Sequence, residues 1–134
     1  MGPILLSAQT KPSVRITYTN TPIRVDGQLD EEVWKFTDVA DDFTQYFPSD
    51  TSLAEAQTEI RLAYDDQFLY VGAKMYNKDP ERSVYVTPSL RRDYRGEAND
   101  GVTLVIDPFQ DNTNAFQFGV NPFGVQREGL IANG

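Results

Sequence analysis

The side chains able to do chemistry in this 134-residue chain are carboxylates, amides, hydroxyls and aromatic rings, because histidine and cysteine are both absent. Ser-His-Asp and Cys-His nucleophile systems, thiolate zinc sites and disulfides are thereby excluded. The remaining alphabet is that of glycosidases, calcium sites and sugar-binding clefts. Asp107, Asp111, Asn112 and Asn114 crowd one short stretch, and calcium takes about six to eight oxygens from such residues. The spacing is not that of an EF-hand, and Asp and Asn also stabilise tight turns through their own backbones, so calcium binding and turn-making both stand. Asp65-Asp66 is the visible carboxylate pair. A tight turn would expose both to water, with nothing to raise one pKa as an acid catalyst requires. Glu97 and Asp100 lie nearer a cleft.

Charge narrows the partners. Twelve basic against 20 acidic residues give a net charge of −8, which repels phosphate backbones and anionic lipid. Nucleic acid is not expected as a partner. Arg91-Arg92 beside Asp93 reads either as an anion or acidic-partner contact or as a solvated surface pair. Trp34, the only tryptophan, is expected in the core against Leu29, while Tyr46 and Phe47 are better candidates for exposed aromatics but are expected to cover the end of the sandwich.

These residues need elements to position them. Val14–Tyr18 alternates apolar and polar and reads as a strand; Asp30 is expected to cap one short helix near 30–36. Thr58–Tyr64 and Phe68–Tyr76 flank a turn at Asp65-Asp66-Gln67 and should pair antiparallel. Residues 77–99 read mainly as loop, with only Val84-Tyr85-Val86 strand-like. Val102, Leu104 and Ile106 then share one face, and Phe116, Phe118 and Val120 are expected inward. Thr103, Gln117, Gly119 and Asn121 fall on the opposite, polar face. The result is an all-β chain, an antiparallel β-sandwich over 13–134. A strand ending near Ile131 leaves an edge in need of a partner, so the last strands are expected from a longer chain or from a second copy swapping in. Residues 1–12 open with MGPILLSAQ, which reads as the remnant of an export signal or as a disordered N-terminus. The absence of cysteine is compatible with the periplasm or cell surface.

Four ordered blocks carry a resemblance: Val25–Trp34, Thr58–Val71, Asn99–Asp107 and Phe116–Gly129. Together they are similar to the family 9 carbohydrate-binding modules, in the version found at the N-terminus of large exported bacterial proteins with a predicted outer-membrane β-barrel. The resemblance implies a sandwich that holds a sugar between two tryptophans, with polar side chains reading hydroxyls and calcium bracing loops. Residue by residue, the first stacking tryptophan falls on Glu97 and the sugar-binding glutamate on Thr103. The family's Arg-x-Asn pair falls on Gly119 and Asn121, and the second tryptophan lies beyond residue 134. Tyr94, between Arg92 and Arg95, stands as a replacement platform near the ligand edge. The expected ligand set is therefore Tyr94, Glu97, Thr103, Gln117 and Asn121, and the expected calcium set is Asp107, Asp111, Asn112 and Asn114. The function implied is non-catalytic glycan binding in an extracytoplasmic protein. Packing against a β-barrel or envelope protein, and a part in a glycoside hydrolase, stand as alternatives.

Overall fold

The computed structural model describes residues 12–47, 52–79, 81 and 84–132. Apart from Pro12, the N-terminal segment expected as a signal remnant lies outside the described residues. The chain divides into two compact units, 1–78 and 79–134. Both are built on strands and the fold is all-β; the described residues include short 3-10 turns at Glu32–Lys35 and Gly96–Ala98.

In the first unit the sheet order is β1 (Thr17–Tyr18), β2 (Thr58–Tyr64), β3 (Leu69–Met75). The β2–β3 hairpin pairs antiparallel as expected, with Tyr64 opposite Leu69 and Thr58 opposite Met75. Its turn is made by Asp65, whose Oδ1 accepts from the backbone N–H groups of Gln67 and Phe68, both at 2.7 Å. The strand expected over Val14–Tyr18 shortens to two residues and runs parallel to β2. Upstream, Arg15 N–H donates to the Asp38 carboxylate instead of to a ladder. On β2, Ile60 exchanges both backbone hydrogen bonds with Ala40 at 2.9 Å.

The core here is organised by Trp34, 4% exposed. Gly72 lets it approach: a Cβ there would sit 2.9 Å from Leu29 Cδ2 and 3.3 Å from the Trp34 ring. The expected Trp34–Leu29 contact region is therefore found, on the β2–β3 face that carries Arg61 and Ala63. The expected Asp30 helix cap is corrected. The element is a single 3-10 turn preceded by Glu31, whose carboxylate accepts from Arg24 N–H at 2.8 Å and from Trp34 Nε1–H at 2.8 Å. Glu31 holds the tryptophan and closes the Arg24–Glu31 loop with one side chain.

In the second unit the order is β4 (Val102–Ile106), β5 (Asn114–Val120), β6 (Gln126–Ala132), all antiparallel. Register places Val102, Leu104 and Ile106 beside Val120, Phe118 and Phe116, so the expected apolar face is present. Its large members are more open than an inward position requires: Phe116, Phe118 and, on β6, Leu130 are exposed. Val84–Val86 is not a strand. Instead Val86 exchanges two hydrogen bonds with Asp100, each at 2.7 Å, one to the backbone and one to the carboxylate.

Candidate functional site

The opposite face of β4–β6 gathers most of the residues expected to meet a ligand. Thr103, Gly119 and Arg127 form one row across the three strands, and Val105, Gln117 and Gly129 form the next. Side chains of directly opposed residues lie on the same face, so Thr103, Gln117 and Arg127 share a surface. Gly119 leaves the space that Arg127 fills: a Cβ there would sit 2.7 Å from Arg127 Cγ, 3.0 Å from its Cδ and 3.1 Å from Thr103 Oγ1. The Arg127 stem thus crosses the middle strand. Its guanidinium ends 5.9 Å from the centroid of the Tyr94 ring, donates to Gln117 Oε1 at 3.4 Å and abuts Gly96. At that separation the ring attracts the cation through its quadrupole.

Tyr94 is 6% exposed. Its ring is part of the wall beneath Arg127, and an open stacking surface for a sugar is not what it offers. Asn121 is 4% exposed and is spent on the β5–β6 turn. Its Oδ1 accepts from Phe123 and Val125 N–H at 3.0 and 2.9 Å, and its Nδ2 is buried with no partner. Thr103 and Glu97 are exposed, Glu97 in the 3-10 turn Gly96–Ala98. Asp100 is spent on Val86, donating its N–H to Val86 O and accepting from Val86 N–H through its carboxylate.

Sequence reasoning did not single out Arg127. The signal was present, since Pro122-Phe123-Gly124 centres a hairpin about Phe123 and a register symmetric about it sets Arg127 opposite Gly119. Gly119 is where the resemblance expects an arginine, and the guanidinium now comes to that place from the neighbouring strand.

Arg92 and Asp93 do something the sequence did not suggest. Asp93 N–H donates to Gln126 O at 3.0 Å, and Asp93 Oδ1 accepts from Glu128 N–H at 3.1 Å. Arg92 donates to Gln126 Oε1 at 3.1 Å and to Glu128 Oε1 at 2.7 Å. The pair covers the outer edge of β6 where two backbone groups would otherwise stand open. Asp93 reaches it with a left-handed backbone, φ 60°, a conformation Asp adopts more readily than most residues.

The expected calcium loop is a turn built on its own carboxylates. Asp107 accepts from Phe109 and Asn112 N–H, and Asp111 from Thr113 N–H, Asn114 N–H and Asn114 Nδ2. The Asn114 amide and then the loop N–H groups hold the Asp111 carboxyl far below its ordinary 3.8. Among the described residues no group of three or more acidic side chains converges. As folded, these carboxylates serve the turn through the loop's own amides.

No protein-family model, curated protein or solved structure matches the chain. Among the described residues no helix is long and apolar enough to cross a membrane.

Proposed function

We propose that this chain is a non-catalytic carbohydrate-binding module of the family 9 type, with the polar face of β4–β6 as its ligand surface. The observation that carries the reading is Arg127 lying across Gly119, which returns a guanidinium to the place where the resemblance has an arginine, beside Thr103 and Gln117. A planar fork of donors next to an amide and a hydroxyl suits the hydroxyls of a sugar. Each sheet also carries one alternating apolar face, as a layered sandwich requires. The setting that belongs to this reading is outside the cytoplasm, ahead of an outer-membrane β-barrel.

Calorimetry against a panel of oligosaccharides tests it. Binding by the unaltered chain, weakened at least about tenfold by Arg127→Ala, is the expected result, the loss of one charge-assisted hydrogen bond set being worth roughly 1.5–3 kcal/mol. Gly96→Ala should weaken binding too, because the added methyl displaces the guanidinium without removing it. Unchanged binding in Arg127→Ala would remove this face from the site, and no binding to any sugar would end the reading.

A second reading, assembly against an envelope partner, is favoured by the apolar face, where Leu130 is 75% exposed beside Phe116 and Phe118. Phe118→Ser with Leu130→Ser would then impair assembly of the parent protein while leaving sugar binding intact. Normal assembly in that variant would count against it.

A further inference from the structure

The loop that leads into β4 folds into a recess of about 390 Å³ whose wall includes Ser89, Arg91, Tyr94, Arg95 and Asn99. That volume lies within the range of small-ligand sites, about 300–1,000 Å³. Its charge runs against the rest of the chain. Acidic residues outnumber basic ones 20 to 12 overall, yet this recess is lined by three arginines and one aspartate. Of the three, Arg92 is already neutralised by Glu128 and Asp93. Among the described residues no carboxylate pairs with Arg91 or Arg95. Both are exposed members of the lining, and unpaired arginines around one recess are the usual apparatus for a planar anion.

Asn99, also in the wall, donates through Nδ2 to Arg95 O at 2.9 Å and so braces the turn that carries Arg95. With the polar face of β4–β6 read as a sugar surface, a ligand whose chemistry meets the two arginines carries an acid group on a sugar ring.

We propose that the Arg91–Asn99 recess is an acid-recognising subsite and that the glycan bound by this module is anionic, a uronic acid or a sulfated sugar. The proposal rests on the carbohydrate-binding reading and deepens it. Arg91 and Arg95 take the acid group.

Calorimetry on the full chain with a uronic acid trisaccharide, the matching neutral trisaccharide, a sulfated one, and inorganic sulfate alone separates the outcomes. The expected result is binding of at least one acidic sugar at least about tenfold tighter than the neutral one. Arg91→Ala with Arg95→Ala should bring the acidic sugar to the neutral level, and Arg91→Lys with Arg95→Lys should recover part of the difference. Both arginines are exposed, so an unchanged thermal midpoint verifies folding of each variant. Preference for the uronate or for the sulfated sugar identifies the acid group, and either supports the proposal. Equal affinity for acidic and neutral sugars, or indifference to the double alanine variant, overturns it while leaving the carbohydrate reading in place. Arginine-dependent binding of sulfate without binding of any sugar overturns the sugar part and the carbohydrate reading together. Silence from all four ligands overturns both.

Discussion

Asn121 illustrates how one side chain can satisfy a sequence motif while serving the fold. Its oxygen closes the β5–β6 turn by accepting from Phe123 and Val125 N–H, so its position at the polar face is set by turn chemistry. Asn121→Ala should lower stability by about 1–2 kcal/mol, the loss of two part-buried hydrogen bonds, read as a fall in the urea midpoint at constant slope. Carboxylates do similar work elsewhere. Glu31, held first by Arg24 N–H, and Asp65, held first by Gln67 N–H, are depressed below their ordinary values, as is Asp111. A depressed carboxylate contributes stability that is complete above its unfolded pKa and is lost as pH falls through the folded one. The thermal midpoint should therefore hold from neutral pH to about pH 5 and decline below about pH 4. Asp111→Asn should make that decline shallower. A midpoint rising on acidification would contradict the hydrogen bonds that cause these shifts.

At the scale of elements, the alternation of apolar residues was enough to find β2 through β6 and both faces of the second sheet, because half-covered strands write their faces into the sequence with period two. The parts that escaped were set by single tertiary contacts. β1 starts late because Arg15 N–H turns to Asp38. The helix expected near 30–36 is one 3-10 turn because Glu31 is committed to Arg24 and Trp34. Of the candidate ligand residues, Thr103, Gln117 and Asn121 were legible from strand parity, whereas Arg127 required the register of β6 and Tyr94 required the loop to fold back. Glycines record the same close packing. At Gly101 a Cβ would meet Val120 O at 2.6 Å, and backbone cannot swing aside; at Gly129 the nearest atom is Gln117 Oε1 at 3.7 Å. Gly101→Ala should thus cost about 1–3 kcal/mol and Gly129→Ala no more than about 0.5 kcal/mol by urea unfolding. Equal effects would mean that the β4–β5 approach is looser than these distances.

For the molecule as a whole, the sign of the charge and the sign of the recess disagree, and the disagreement has a measurable consequence. Net charge −8 acts over the screening length, about 30 Å at 0.01 M salt and about 8 Å at 0.15 M, whereas an arginine touching a bound acid acts at contact and is screened much less. Adding salt first removes the long-range repulsion. A small acidic sugar should hold its affinity, or gain slightly, between about 0.01 and 0.15 M salt, opposite in trend to a basic protein gripping a polyanion, where released counterions make affinity fall steeply. A duplex oligonucleotide, whose phosphates extend far past two or three arginines, should stay unbound across the same range by fluorescence anisotropy. If the sugar's affinity instead collapsed with salt, or the duplex bound at low salt, a broad basic surface would have to be acting, and the local recess would not be the source of recognition.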